Sequence, residues 1–98
     1  MIHENEKRYD EREFVERPIT FNMSAHRAAP FEVVSKKGIC IDISSSGLGL
    51  VSNCHLHKGE VMEVHVPIGV KEVTVRVFAE VRWSAFAGDS ARSGLRFL

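Results

Sequence analysis

The chain predicts an all-β protein, a small antiparallel barrel of six to seven strands with a flexible or short helical N-terminal segment. Three observations carry that expectation. After Pro18, short runs of alternating apolar and polar residues recur with Gly, Pro, Ser, Asn or Asp between them, a period of two rather than 3.6. No stretch beyond residue 17 keeps helical spacing. The 98 residues are enough to bury one core but not two.

The elements follow in order. Ile19, Phe21 and Met23 alternate with Thr20, Asn22 and Ser24, so a first strand points three apolar groups inward. A loop is expected at Ala28-Ala29-Pro30. Phe31 to Val34 and Gly38 to Ile43 read as a second strand or a hairpin, interrupted by the turn signal Ser35-Lys36-Lys37-Gly38, an interruption compatible with a bulge. Within Gly38 to Ile43, alternation sends Ile39, Ile41 and Ile43 to the core and Cys40, Asp42 and Ser44 to the opposite face. Leu48 to Val51 is a short apolar strand, and Ser52 to Gly59 a polar loop. Val61 to Pro67 directs Met62, Val64 and Val66 to one face. Val73 to Trp83 is the clearest strand, with Val73, Val75, Val77, Ala79, Val81 and Trp83 all on one side. Trp83 and Phe78 are accordingly assigned to the core or an interface. Gly88-Asp89 marks a turn, and Gly94 to Leu98 closes the set.

The N-terminal segment differs in composition. Residues 1–17 carry six acids against four bases, so they form no polybasic arm. Glu4, Arg8, Arg12 and Glu16 lie four apart, which would lace a short helix with ion pairs of about 0.3–0.5 kcal/mol each. The chain therefore divides into an N-terminal segment, 1–17, and a barrel, 18–98.

Composition excludes several classes. At 44% hydrophobic and 27% charged, with no apolar run near the roughly 20 residues of a membrane helix, the chain is not expected to insert in a membrane. Its first ten residues lack the apolar core of a secretion signal, so a cytoplasmic location is expected. Cys40 in a strand and Cys54 in a loop are not expected to form a disulfide in that compartment. A formal net charge of zero removes the electrostatic argument for general nucleic-acid binding. His3, His26, His55, His57 and His65 are scattered and form no nucleophile, base and orienter set, so no catalytic residue is assigned and no enzyme is expected. Cys54-His55-Leu56-His57 lacks the second ligand pair of a structural metal site, so no metal or other cofactor is expected.

What remains is a polar wall with arginines upstream of it. Asp42, Ser44 and Gly47 form a D-x-S-x-x-G stretch where a strand ends, backed by Leu48-Gly49-Leu50. Arg8, Arg12 and Arg17 precede the first strand, and arginine forks bond phosphates bidentately.

In order and spacing these features, with the closing Ser93-Gly94-Leu95-Arg96-Phe97, resemble the PilZ domain, a bacterial receptor module for cyclic di-GMP. The resemblance implies a six-stranded antiparallel barrel and an R-x-x-x-R pair that grips the ligand's phosphates and guanine Hoogsteen edges. It also implies a D/N-x-S-x-x-G stretch that binds guanine, here Asp42, Ser44 and Gly47. The arginine pair has two registers: Arg8 with Arg12 is an intact R-x-x-x-R, whereas Arg17 holds the place before the first strand and leaves Arg12 as a degenerate partner. The chemistry agrees with the residue types. Guanine offers N1–H and N2–H2 donors to the Asp42 carboxylate, while O6 and N7 accept from an arginine fork. Ser44 can bond a phosphate or a base atom, and Gly47 either takes a positive φ or admits a close approach by the ligand. The function implied is a receptor whose N-terminal segment orders on cyclic di-GMP and signals to a protein partner in motility, polysaccharide or regulatory machinery, with homodimer formation left open. The alternative is a PilZ-like adaptor that has lost the nucleotide and acts through protein contacts alone.

Overall fold

The computed structural model describes residues 12–24, 33–69 and 73–98. Six strands follow in order: β1 (Glu13–Ser24), β2 (Val33–Ile43), β3 (Gly47–Ser52), β4 (Val61–Ile68), β5 (Val73–Ala87) and β6 (Ser90–Phe97). All neighbours are antiparallel, in the lateral order β1-β2-β3-β6-β5-β4, and β4 returns to β1 to close a barrel. No helix among the described residues is long and apolar enough to cross a membrane.

Alternation builds the core. Ile19 and Phe21 from β1, Leu48 and Leu50 from β3, Met62, Val64 and Val66 from β4, Ala79 and Val81 from β5 and Leu95 from β6 all point inside. Leu56, from the loop after β3, joins this cluster. The β5–β6 hairpin turns at Gly88, whose φ of 66° is the left-handed value that glycine adopts without steric cost.

Closure is narrow. Among the described residues, Phe21 with Val64 and Asn22 with Glu63 are the pairs across the β1–β4 seam. Side chains carry the rest: Asn22 Nδ2 donates to Glu63 Oε1 at 3.0 Å, and Arg17 Nη1 donates to the Gly69 carbonyl at 2.6 Å. Pro18 sits in the part of β1 that pairs with β2 alone, the edge setting in which a missing N–H is tolerated.

The structure departs from the sequence expectations in ways that share a cause. β1 begins at Glu13, so Glu13 to Arg17 extend the first strand instead of preceding it. Glu16 of the four-residue spacing thus lies in a strand with Arg12 directly before it, and residues 1–11, with Glu4 and Arg8, lie outside the described residues. The Ala28-Ala29-Pro30 loop and Phe31 also lie outside them. β2 runs without interruption through Ser35 to Gly38. Its bulge falls instead at Ile41, since Cys40 faces Leu50 and Asp42 faces Gly49 with one residue unmatched. That extra residue reverses the phase. Cys40, expected outside, is fully buried, and Ile39, expected in the core, is 43% exposed, whereas Asp42 faces outward and Ile43 packs on the core as anticipated. A second bulge at Arg82, between the Val81–Leu95 and Trp83–Gly94 pairs, turns Trp83 out of the core to 51% exposure. Phe78 is on the outside as well. Val73 and Val75 have the inward phase but lie at the β4–β5 hairpin end, where they remain exposed.

Candidate functional site

Three register shifts, between Phe14 and Arg17 in β1, at Ile41 in β2 and at Arg82 in β5, accompany one row of residues across the outer face of the barrel. Strand pairing sets Phe14 beside Asp42, Asp42 beside Gly49, Gly49 beside Gly94, and Gly94 beside Trp83. The row therefore crosses β1, β2, β3, β6 and β5 at one level. In β3 the sequence Gly47-Leu48-Gly49-Leu50 sends both leucines inward and both glycines to the opposite face, where each is covered, Gly49 by the Asp42 carboxylate and Gly47 by the Leu95 backbone. Gly94 continues that glycine floor into β6.

Asp42 and Trp83 close the floor from opposite sides. Both carboxylate oxygens of Asp42 lie 3.0 Å from where a Gly49 Cβ would be, so the acid leans over that glycine. The five-membered ring of the Trp83 indole covers Gly94 so closely that any Cβ there would collide with it. A carboxylate acceptor and an indole thus rest on neighbouring glycines of the wall, groups that can meet the N–H donors and the face of a flat base.

Arg12 completes the acidic side. Its Nη1 donates to Asp42 Oδ1 at 2.7 Å, joining a half-exposed guanidinium to a largely covered carboxylate. The structure therefore brings Arg12 to Asp42 and holds Arg17 elsewhere, on the Gly69 carbonyl at the seam. Arg8 lies outside the described residues.

Ser44 shapes the turn between β2 and β3. Its backbone N–H donates to the Gly47 carbonyl at 2.8 Å, and its Oγ accepts from the Ser46 N–H at 3.2 Å and lies 3.2 Å from Ser46 Oγ. This local bonding is the ordinary chemistry of serine in a turn, and it aims the 44–46 segment outward at the end of the wall. Of the two roles expected of Gly47, a positive φ is not taken. The residue is buried, and a Cβ there would collide with the carbonyl oxygen of Leu95 in β6. The glycine is needed for the approach of a neighbouring strand.

Beneath the wall, Cys40 donates to the Asp42 carbonyl at 3.3 Å. Burial, and after it the negative charge of Asp42, pushes this thiol above its ordinary value, so it stays protonated. Among the described residues no group of three His, Cys, Asp or Glu is arranged to hold a metal; His55 and His57 instead stack at 4.6 Å with Phe86 against His55. Two open clefts of about 240 and 280 Å³, one lined by Pro18, Thr20 and His65 and the other by Met23, Val33 and Phe78, share no residue with the glycine row.

Gly49, Gly94 and Trp83 are the site residues that sequence reasoning missed. Gly-Leu-Gly-Leu alternation was a usable signal for the floor. Trp83 had none, because its phase depends on the bulge at Arg82.

The site is thus an acid, an aromatic ring and an arginine set close together on the outer wall of a small six-stranded β-barrel. The chain belongs to the PilZ domain family, whose pattern matches residues 6–98. Among solved structures it is similar to the PilZ domain with c-di-GMP of YcgR from Escherichia coli, with a TM-score of 0.60 and 15% identity over 94% of this chain and 78% of that one. At that identity the likeness is one of fold. No curated protein matches the chain.

Proposed function

We propose that this domain is a receptor for cyclic di-GMP, with a guanine held by the Asp42 carboxylate and the Trp83 ring. The observation that carries the reading is the row itself: acceptor, two glycines and aromatic ring at one level, with a cation already on the acceptor. Family membership and the fold shared with a PilZ domain solved with c-di-GMP support it.

The Arg12–Asp42 pair gives the mechanism. Guanine N1–H and N2–H2 take the Asp42 carboxylate, which releases Arg12 to a phosphate or to guanine O6 and N7. An ion pair whose cation is half exposed contributes up to about 1 kcal/mol, so a ligand that supplies both a donor edge and an anion displaces it readily. Ser44, Gly47 and Arg8 act at the end of the wall, and Arg17 joins them only by leaving the Gly69 carbonyl. The segment before β1, with Arg12 at its end, is the one that responds, since Glu13 to Arg17 already belong to that strand, and a protein partner reads the change. No bond is made or broken.

Isothermal titration of cyclic di-GMP into the domain, with GTP as control, tests this. Saturable binding at micromolar or better affinity that disappears in Asp42→Ala is the expected result. Absence of binding at high protein concentration refutes it and favours the second reading, an adaptor without a nucleotide, which the placement of Arg17 at the seam supports.

A further inference from the structure

Strand β6 presents Arg92, Gly94 and Arg96 outward in succession, so two guanidinium groups flank the glycine floor along the strand, each one outward step from Gly94. Their surroundings differ. Arg96 faces Gly47 and Glu80, and its Nη2 donates to Glu80 Oε1 at 3.2 Å, so its charge is met inside the protein. Arg92 faces Val51 and Ala85, and Val51 in turn faces Ile39 and Ile39 faces Pro18. That row contains no carboxylate. Arg92 is exposed and has no hydrogen bond or ion pair among the described residues. Its removal takes nothing from the fold, and its presence puts an uncompensated cation beside the floor.

The position has a complement. Arg12 lies on the β2 side of the floor, against Asp42, and Arg92 stands on the β6 side, diagonal to both Gly49 and Trp83 at the roughly 7–8 Å that separates such neighbours. Two cations thus bracket one base-sized surface. A cyclic dinucleotide carries two phosphodiester charges, one on each side of its ring. We infer that Arg92 is a further ligand-binding residue, which receives a phosphate of the cyclic dinucleotide held by Asp42 and Trp83. This rests on the receptor reading above and extends it to the strand farthest along the chain. It also makes the site less dependent on the N-terminal arginines, because one cation belongs to the rigid wall and needs no ordering.

Calorimetric titration of cyclic di-GMP into wild type, Arg92→Ala, Arg92→Lys, Arg76→Ala and Asp42→Ala tests the inference. Arg92→Ala is expected to raise Kd about tenfold or more, and Arg92→Lys to recover only part of that, because a point charge replaces a bidentate fork. Arg76→Ala, which removes an equal charge from the outer face beside His65, is expected to stay within about twofold of wild type. The unliganded melting temperature of Arg92→Ala is expected to equal that of wild type, which a structural role would not allow. If Arg92→Ala binds within twofold of wild type while Asp42→Ala does not bind, the receptor reading stands and the role of Arg92 is refuted. If wild type itself does not bind, both fall together.

Discussion

Gly47→Ala separates a glycine that serves the ligand from one that serves the fold. The added Cβ would meet the Leu95 carbonyl oxygen, which is backbone in the adjacent strand and has no rotamer to change. β3 and β6 must therefore part locally, at the place where Gly47 pairs with Arg96 and the Phe97 N–H donates to the Ser46 carbonyl at 2.8 Å. Two strained or broken bonds in a covered ladder, at about 1–3 kcal/mol for each group left unsatisfied, with some relief by relaxation, amount to a loss of roughly 2–4 kcal/mol. Against a total stability of about 5–15 kcal/mol, and at about 4–8 °C per kcal/mol for a domain of this size, the melting temperature falls by roughly 10–25 °C. Urea and thermal unfolding followed by circular dichroism, without any ligand, measure this directly. Gly59→Ala is the comparison: its φ of 93° strains a side chain by about 1–2 kcal/mol, but nothing lies within 4 Å to collide with one. An unliganded Gly47→Ala protein within about 0.5 kcal/mol of wild type would refute the reasoning, and would return Gly47 to the role of admitting the ligand.

Other expectations follow from the same geometry. Leu50→Ala, at a fully buried β3 position, is expected to cost about 2–5 kcal/mol in urea unfolding, and a cost below 1 kcal/mol would mean that the site collapses around the smaller side chain. Arg17→Ala is expected to cost at most about 1.5 kcal/mol, with faster amide exchange confined to the end of β4 and the Gly69 turn, because its hydrogen bond is exposed. Native Cys40 is expected to resist thiol reagents at neutral pH while the half-buried Cys54 reacts, as counted by mass spectrometry; equal rates would contradict the burial. Because the Cys40 thiol is raised in the folded protein, the unfolded chain loses its proton first. Stability from this group is complete below the ordinary thiol range and declines as pH rises through it, a slope that Cys40→Ala is expected to flatten in alkaline urea titrations.

Much of the barrel was legible because period-2 patterning reports burial directly. The inward sets Ile19 with Phe21, Leu48 with Leu50 and Met62 with Val64 and Val66 follow from alternation alone. So did the placement of Asp42 and Ser44 where a strand ends. The errors cluster at one kind of feature. Cys40 and Ile39 exchanged faces, and Trp83 left the core, because one unmatched residue in β2 and another in β5 reset the count. A bulge inserts no distinctive residue: Ile41 and Arg82 look like any other members of an alternating run. The extension of β1 back to Glu13 was hidden for a related reason, since charged residues pair in an exposed strand as well as they populate a helix or loop.

The order of the chain by itself determined that this is a small β-barrel, which leucines and valines fill it, and that an aspartate, a serine and a group of arginines are the candidates for recognition. Those are properties of neighbouring residues, and short-range alternation encodes them. Tertiary structure alone decided that Arg12 meets Asp42, that Arg17 is held at the seam, that Gly47 yields to Leu95, and that Gly49, Gly94, Trp83 and Arg92 share one wall with Asp42. These residues come from strands far apart in sequence. Their alignment depends on ladder register, and register is set by bulges and barrel closure that no local pattern records.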